Sequence, residues 1–311
     1  MKERRRIAVR PSASAHAAPV LVKFGGELLE DGGQIDALAS ALAKLWRKVP
    51  LVVVHGGGRE IDSALTRAGI DKRQVDGLRI TDEATLDIVV GVLAGLVNTR
   101  FVGMLAAAGV QAVGLTGADA GVALVEPAAQ HVASSGARVD LGRVGVPISS
   151  RRPALLLDLC RRGYMPVVAS IGAARDGRLF NVNADTFAAY LAYRLGSPRL
   201  IIAGTTAGVL DRDGTTIPHL VSEDLGALVR NGSATAGMIA KLAACRRALD
   251  RGVREVFITD GRDLEGLAGL ARDGLRSGSS TQITKYGALT RRQTGMKGAG
   301  RLPALRPVRA S

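Results

Sequence analysis

Two glycine-rich segments near the start of the chain have the residue types of a phosphate-binding site. The first contains Lys23, Gly25 and Gly26, the second contains Gly57 and Gly58, and each follows a short apolar run rich in valine. Glycine lets the backbone approach a ligand closely, and the N–H groups at the start of a helix are free to bind an anion. The spacing matches neither a Walker A loop nor a G-x-G-x-x-G dinucleotide turn. The two segments therefore predict a phosphate site of another kind.

Three further segments supply charged and amide side chains. Arg79 precedes a predicted helix, where its guanidinium can bind a planar carboxylate through two parallel hydrogen bonds. Asn181, Asn183 and Asp185 alternate ahead of another helix and share one side if that segment is extended. Lys241 lies one turn into a helix that starts at a glycine. Two lysines and an aspartate suit phosphoryl transfer, because the lysines spread the charge on the transferred group and the aspartate fixes their geometry.

The elements that must position these residues alternate between strand and helix patterns. This order is typical of an α/β fold with a mainly parallel sheet, and a core with only 3% aromatic residues suits a buried sheet covered by helices. The predicted strands are 19–24, 50–55, 110–115, 165–170, 199–203 and 255–259. The predicted helices are Asp36–Lys48, Arg59–Ala68, Glu83–Ala108, Pro153–Arg162, Thr186–Leu195 and Met238–Arg251.

The stretch 120–150 interrupts this alternation. Val122–Glu126 and Ala137–Val144 have the composition of short strands and are separated by glycine-containing turns. We predict a β-hairpin excursion beside the main sheet.

The net charge of +14 is concentrated at the two ends of the chain. Residues 1–18 hold five basic residues and one acid, and residues 285–311 hold seven basic residues and no acid. The body of the chain, residues 19–284, therefore has a net charge of only +3. Both segments lack apolar periodicity, so we predict flexible basic tails over 1–18 and 285–311. A nearly neutral body with few aromatic residues argues against specific nucleic-acid binding.

Cysteines and apolar runs bear on the cellular compartment. Cys160 and Cys245 form no metal motif and are interpreted as reduced structural residues of a cytosolic protein. The first eighteen residues faintly resemble a transit peptide, but a plain flexible extension is favoured. No uninterrupted apolar run approaches the roughly eighteen residues that a membrane span needs. We expect a cytoplasmic protein without a membrane segment.

Taken in order, five motifs resemble those of the amino-acid kinase family, over roughly residues 19–284. One such motif alone would be weak evidence of a resemblance to the family, whereas five in this order are specific to it. The resemblance is greatest to the members that use ATP to phosphorylate the γ-carboxylate of N-acetyl-L-glutamate in arginine biosynthesis. It implies a three-layer αβα sandwich, as in the amino-acid and carbamate kinases. The motifs are Lys23-x-Gly-Gly, His55-Gly-Gly-Gly, Gly77-Leu-Arg-x-Thr-Asp, Asn181-x-Asn-Ala-Asp and Gly237-Met-x-x-Lys.

The resemblance implies a role for each matching residue. Lys23 matches the lysine that meets the transferring phosphoryl group, Lys241 the lysine on the ATP side, and Asp185 the residue that organises both lysines. Arg79 matches the residue that binds the α-carboxylate of the substrate, and Asn181 a second substrate contact. The glycines that match backbone donors around the phosphoryl group and the substrate are Gly25, Gly26, Gly57 and Gly58.

The implied enzyme uses ATP with Mg²⁺, which the nucleotide phosphates mainly carry and which has few protein ligands of its own; no metal-binding residue is predicted in this chain. A substrate carboxylate is already a nucleophile near neutral pH, so neither a general base nor a covalent enzyme intermediate is required. The implied organisation is an acyl-amino-acid-binding and dimerisation lobe over 19–186 and an ATP-binding lobe over 187–284. Family members are commonly dimeric or larger, and the apolar helix Glu83–Ala108 is a candidate dimer surface.

Two departures from the family pattern concern nucleotide binding and regulation. Relatives commonly have Thr-Asp where this chain has Gly204-Thr205, in a region that faces the nucleotide in the family. Arginine-inhibited members begin with an amphipathic helix, whereas residues 1–18 have no apolar stripe. Inhibition by arginine through that route is therefore not expected.

Two alternative functions stay open. A kinase for a related N-blocked substrate, including glutamate or aminoadipate linked to a carrier protein, would use the same chemistry, and basic tails would attract an acidic carrier. A non-catalytic metabolite sensor should have lost Lys23, Asp185 or Lys241, and all three are present.

Three residues near these motifs are interpreted without a defined catalytic role. His55 is either a phosphate ligand or a structural residue at the end of a strand. Asp62 and Asp119 are interpreted as surface or cap residues.

Overall fold

The computed structural model describes residues 17–133, 135–148, 152–230, 236–274 and 280–286. The predicted tails, 1–18 and 285–311, lie outside these ranges except for positions 17–18 and 285–286. The strands are β1 (Val20–Phe24), β2 (Leu51–His55), β3 (Gln74–Val75), β4 (Leu78–Arg79), β5 (Ala112–Thr116), β6 (Val125–Pro127), β7 (His131–Val132), β8 (Arg138–Val139), β9 (Gly145–Pro147), β10 (Met165–Ala169), β11 (Ile171–Ala173), β12 (Leu179–Asn181), β13 (Arg199–Gly204), β14 (His219–Val221), β15 (Glu255–Asp260) and β16 (Ser280–Thr284).

Eight of these strands form one central sheet in the order β14-β16-β15-β13-β1-β2-β10-β5. Neighbouring strands run parallel, except that β15 and β16 are antiparallel. The six predicted strands correspond to β1, β2, β5, β10, β13 and β15, and their ends differ from the prediction by at most two residues. The mainly parallel sheet is therefore confirmed.

Helices pack against both faces of this sheet, and several begin at a side chain that accepts a backbone hydrogen bond. Asp31 accepts from Gln34 N and Asp263 from Gly266 N, which satisfies free N–H groups at the starts of two helices. The helices are α1 (Gly32–Trp46), α2 (Gly58–Arg67), α3 (Glu83–Val90), α4 (Asn98–Ala107), α5 (Ala154–Arg161), α6 (Ala184–Leu195), α7 (Leu225–Arg230), α8 (Ala236–Asp250) and α9 (Leu264–Asp273).

Two hydrophobic clusters, one on each face of the sheet, confirm the three-layer αβα sandwich. Successive side chains of a strand point to opposite faces. In β1, Val20, Val22 and Phe24 join the cluster that includes α1, α2, α4 and α9, whereas Leu21 joins the cluster that includes α5, α6 and α8. Lys23 lies two residues after Leu21, so this alternation directs its side chain to the face covered by α6.

The predicted helix Glu83–Ala108 consists of three helical segments. α3 is followed by a π-helix over Gly91–Val97, which leads directly into α4. The prediction of one continuous α-helix was therefore wrong in its middle, where the chain takes the wider π turn.

By length and composition, Glu83–Ala107 is the one helix in the described ranges that could cross a membrane. Of its most apolar stretch of 18 residues, 39% is buried inside the protein.

The predicted β excursion is confirmed, with different strand limits. It consists of two short antiparallel pairs, β6 with β9 and β7 with β8. β6 ends at Pro127 and β9 ends at Pro147. The paired segments are shorter than the predicted strands Val122–Glu126 and Ala137–Val144. Val122 N–H still donates to Asp119 O at 3.1 Å in the turn after the 3₁₀ helix Asp119–Gly121, and residues 140–144 lie between β8 and β9.

The sheet also groups its strands by their position in the chain. β1, β2, β10 and β5 come from residues 19–186 and are neighbours, and β13, β15, β16 and β14 come from residues 187–284 and are also neighbours. The functional division at these limits stays a prediction.

Candidate active site

The two glycine segments meet at one edge of the sheet. β1 and β2 are parallel neighbours, so the loops after their carboxyl ends lie side by side. A Cβ atom added at Gly26 would lie 2.6 Å from Gly57 Cα, so a larger residue would push the two loops apart. The N–H of Gly25 donates to Ala203 O at 2.9 Å and is therefore already engaged in the sheet. Gly58 begins α2 directly after Gly57.

Buried Lys23 and Asp185 and half-buried Lys241 form a charged group beside these loops. Lys23 Nζ lies 2.8 Å from Asp185 Oδ1, and Lys241 Nζ lies 3.8 Å from Asp185 Oδ2. The side chains of Lys23 and Asp185 are 7% and 8% exposed, and that of Lys241 is 22% exposed. One carboxylate thus lies between two ammonium groups that come from distant parts of the chain.

Opposing effects set the charge state of Asp185. Burial by itself raises the pKa of this carboxyl, because a low-dielectric environment disfavours the charged form. The positive charges of Lys23 and Lys241 outweigh the burial, so the pKa of Asp185 is held below its ordinary value. The carboxylate is ionised at neutral pH and keeps the two lysines in place.

The start of α6 positions Asp185. Asn183 Oδ1 accepts hydrogen bonds from the backbone N–H groups of Asp185 at 3.1 Å and Thr186 at 3.0 Å. This cap starts the helix at Ala184, two residues before the predicted start. Asp185 therefore lies in the first helical turn, where free N–H groups and the helix dipole favour a negative charge.

A cavity of about 190 Å³ opens next to this group of charges. All four residues predicted to bind the substrate line it: Gly57, Gly58, Arg79 and Asn181. Ala184 at the start of α6 also lines the cavity, which links the cavity to the turn that carries Asp185.

Arg79 is held at the wall of this cavity with part of its guanidinium unpaired. Its side chain is 13% exposed, and Nη2 donates to Asp62 Oδ1 and, at 3.4 Å, to Gly58 O. The buried Nη1 has no hydrogen-bond partner within the described part of the chain. A guanidinium with a free N–H edge in a cavity can bind a carboxylate.

Asp62, which was interpreted as a surface or cap residue, is partly exposed on α2, but its contact with Arg79 at the cavity wall was not predicted. Its carboxylate pairs with Arg79 and, through Oδ2, with Lys72 Nζ at 2.8 Å. Partial burial raises the pKa of Asp62, but its contacts with Lys72 and Arg79 outweigh this effect and lower the pKa. Asp119 is exposed and caps no helix of the described chain, since its Oδ2 accepts from Thr116 N at 2.6 Å and from Thr116 Oγ1 at 2.8 Å, at the end of β5.

His55 is a fully buried residue behind the second glycine segment. Its Nδ1 lies 3.0 Å from Gly56 O, and its Nε2 lies 3.0 Å from Asn98 Nδ2. Burial lowers the pKa of His55 to about 4, so the ring is neutral at physiological pH. Of the two interpretations offered for His55, the structural one agrees with these contacts, since both ring nitrogens are engaged within the protein.

The departure at Gly204-Thr205 lies where β13 ends at the same edge of the sheet. Arg262 Nη2 donates to Thr205 O at 2.9 Å and to Asp260 Oδ2 at 2.6 Å. This arginine therefore joins the loop after β13 to the loop after β15. Gly204 and Thr205 lie at the sheet edge, next to the position where the family resemblance predicts the nucleotide.

Sequence comparisons identify related proteins. The model of the amino acid kinase family matches residues 18–260. The acetylglutamate kinase of Methanopyrus kandleri is 40% identical over 250 residues, which cover 79% of this chain and 96% of that protein. The acetylglutamate kinase of Brucella abortus is 40% identical over 249 residues, which cover 78% of this chain and 83% of that protein.

Solved structures share the fold. N-acetylglutamate synthase from Neisseria gonorrhoeae, in complex with coenzyme A and N-acetyl-glutamate, superimposes with a TM-score of 0.73 at 24% identity, over 87% of this chain and 60% of that chain. Carbamate kinase from Giardia lamblia bound to AMP-PNP superimposes with a TM-score of 0.60 at 15% identity, over 88% of this chain and all of that chain. At these identities the structures support the architecture alone.

Proposed function

This chain belongs to the amino acid kinase family, and we propose that it transfers the γ-phosphoryl group of ATP to the side-chain carboxylate of N-acetyl-L-glutamate, a step of arginine biosynthesis. The product is an acyl phosphate. Relatives that carry the name acetylglutamate kinase match most of the chain at about 40% identity. The observation that carries the mechanism is the charged group of Lys23, Asp185 and Lys241 beside two touching glycine loops.

The two lysines supply the charge that the reaction needs. In phosphoryl transfer the enzyme mainly positions the reactants and stabilises negative charge on the transferred group. We assign Lys23 to the transferring phosphoryl group and Lys241 to the ATP side. Asp185 acts through both lysines as a positioning residue, because each of its oxygens faces a different ammonium group.

The cavity next to the lysines suits an N-blocked amino acid. Arg79 offers the unpaired Nη1 to the α-carboxylate, and Asn181 lies on the same wall as a second contact. Asn181 Nδ2 already donates to Thr81 Oγ1 at 3.2 Å, and its side-chain oxygen, which has no donor among the described residues, can accept from a substrate amide. Gly57 and Gly58 let the backbone approach the substrate closely.

The chemical step needs no general base. A side-chain carboxylate of the substrate is ionised near neutral pH, and one of its oxygens forms the new O–P bond. The bond between the γ-phosphorus and the oxygen that bridges to the β-phosphate breaks, and its electron pair leaves with ADP. The protein must reduce the repulsion between two anions and hold them in line.

We propose that Mg²⁺ is held mainly by the phosphates of ATP. Within the described ranges, no group of three or more histidine, cysteine or acidic side chains is placed to hold a metal ion. Phosphate oxygens and water are the usual ligands of Mg²⁺ in such sites, with one or two carboxylates at most. The metal would add charge neutralisation to that of the lysines.

The wider assignments follow the same analogy. We propose that residues 19–186 bind the acyl-amino acid and mediate dimerisation, and that residues 187–284 bind ATP. The exposed Leu96 in the π-helix gives the long helix an apolar side chain for contact with a second copy of the chain. A homodimer or larger homo-oligomer in the cytoplasm is the proposed state.

Trapping of the acyl phosphate with hydroxylamine tests the function. N-acetyl-L-glutamate, L-glutamate and N-acetyl-L-aspartate are compared with ATP and Mg²⁺, and we expect a strong signal only with the first. Lys23→Ala and Arg79→Ala should lose the signal, whereas Lys44→Ala, at an exposed position of α1, should keep it.

Other outcomes would redirect the assignment. ATP binding without a signal from any of the three compounds would favour a carrier-linked substrate. Failure to bind ATP would overturn the kinase assignment altogether.

A further inference from the structure

His55 and Asn98 form a buried polar pair that the chemical step does not use. Asn98 Nδ2 lies 3.0 Å from Val167 O and 3.0 Å from His55 Nε2. The side chains are enclosed between β2, β10 and the start of α4, and their residues are 0% and 4% exposed. A buried polar pair is costly unless it is fully hydrogen-bonded, so its contacts define one arrangement.

These contacts fix the tautomer of His55. A backbone carbonyl can only accept, so the Asn98 atom that faces Val167 O is the amide nitrogen. That nitrogen also donates to His55 Nε2, which must then be unprotonated. The ring proton therefore lies on Nδ1, and it is donated to Gly56 O at 3.0 Å.

The hydrogen bond from His55 sets the direction of the next peptide group. In a planar trans peptide, the C=O of one residue and the N–H of the following residue point in opposite directions. Gly56 O points inward to His55, so the N–H of Gly57 points away from the core, and Gly57 lines the substrate cavity. Gly56 N–H is fixed as well, because it donates to Phe24 O at 3.1 Å.

The π-helix closes the other side of the same loop. A Cβ atom added at Gly57 would lie 2.8 Å from Leu93 Cδ2 and 3.3 Å from Val97 Cγ2. The π-helix ends where Asn98 begins α4, so two directly joined helical segments supply the apolar contact with Gly57 and the amide that holds His55. The loop is held from both sides.

We propose that His55 and Asn98 are positioning residues that orient the N–H of Gly57 toward the acyl-amino-acid substrate. Within the described part of the chain this N–H has no acceptor, as expected of a donor reserved for a ligand. The inference rests on the proposed function, because it assigns the ligand of this N–H to N-acetyl-L-glutamate.

Two substitutions of His55 each keep a different contact. The amide nitrogen of asparagine is attached to Cγ, as Nδ1 is, so His55→Asn keeps a donor for Gly56 O. The longer glutamine places its amide near Nε2, so His55→Gln keeps the contact with Asn98 and loses the donor. We expect the KM for N-acetyl-L-glutamate to rise about tenfold in His55→Gln and less than about threefold in His55→Asn, with the KM for ATP unchanged in both.

Measurements of stability distinguish a positioning role of His55 from a role in packing alone. His55→Asn leaves the larger void and should be the less stable of the two variants, although it binds substrate better. Leu105→Ala, at a fully buried position of α4 away from the loop, should lose stability without a change in KM. Equal KM values for the two His55 variants, or KM values that follow stability across all three variants, would overturn the inference.

The hydrogen-bond arrangement can be tested without substrate. In ¹⁵N-labelled wild-type protein at neutral pH, the ring of His55 should carry its proton on Nδ1 and none on Nε2, with the signal assigned by its loss in His55→Gln. A proton on Nε2 would contradict the inference even if the enzyme is active. A wild-type protein that forms no acyl phosphate from N-acetyl-L-glutamate would instead overturn the proposed function and the substrate named here.

Discussion

The two ends of the proposed active site differ in how their charges are compensated. At the reacting end, Asp185 lies between Lys23 and Lys241, and all three side chains are paired inside the protein. At the binding end, Arg79 is paired with Asp62 through one nitrogen, while its buried Nη1 has no partner among the described residues. The reacting end is therefore preorganised by its own charges, whereas the binding end is completed by the charge of the ligand.

This difference predicts separate consequences for mutations at the two ends. A change at the reacting end should lower kcat and stability together, because it leaves a buried charge unpaired. A change at the binding end should raise KM and leave the fold intact, because the free protein already tolerates the unpaired N–H group.

The largest effect is expected from Lys23→Met. Loss of the ammonium group should lower kcat by about 10³-fold, and the buried carboxylate of Asp185 left behind should cost about 3 kcal/mol of unfolding free energy. Steady-state kinetics and urea denaturation measure the two quantities. The double variant Lys23→Met with Asp185→Asn should recover stability but not kcat. A kcat within tenfold of the wild type would refute the role of Lys23.

A smaller effect, of a different kind, is expected from Arg79→Lys. Lysine keeps the charge but lacks the planar edge that binds a carboxylate through two hydrogen bonds. The KM for N-acetyl-L-glutamate should rise about 30-fold, while kcat and the unfolding free energy change little. Arg67→Lys, at an exposed position of α2, is the matched control and should leave KM unchanged. A fall in kcat at constant KM would place Arg79 at the reacting end and would contradict the predicted difference between the two ends.

The fold could be predicted where local sequence decides the structure. β2 is a continuous apolar run, Leu51–Val54, that ends at His55 and glycines, and its short length, its three valines and the glycines after it favour a buried strand. β14 was not among the predicted strands, because three residues at the edge of the sheet carry no periodic signal. The π-helix has the same apolar spacing as an α-helix, so its extra residue per turn depends on packing that the sequence does not display.

The candidate site shows the same limit. Lys23, Asp185 and Lys241 could be singled out by residue type and by the order of motifs, and the structure brings them together. Asp62, the partner of Arg79, could not be singled out from the sequence, because it resembles any acidic residue on an exposed helix. Its contact arises only when β4 folds back over α2, which is a tertiary event.

The smallest expected effect is the dependence of the unfolding free energy on pH. It can be measured for Asp185 at the reacting end and for Asp62 at the binding end. The pKa of Asp185 is lowered in the folded protein from the ordinary value of 3.8. A depressed folded pKa contributes stability that is complete above the unfolded pKa and is lost as the pH falls toward the folded pKa. The advantage of the wild type over Asp185→Asn in unfolding free energy should therefore shrink between about pH 5 and about pH 3.

The same experiment on Asp62→Asn provides the comparison. The pKa of Asp62 is also lowered, so its contribution has the same sign and the same pH window. However, its side chain is 31% exposed, against 8% for Asp185, and solvent screens its pairs with Arg79 and Lys72. The curves of wild type and Asp62→Asn should therefore converge less on acidification than those of wild type and Asp185→Asn. Equal convergence for both variants would show that the binding end is as preorganised as the reacting end.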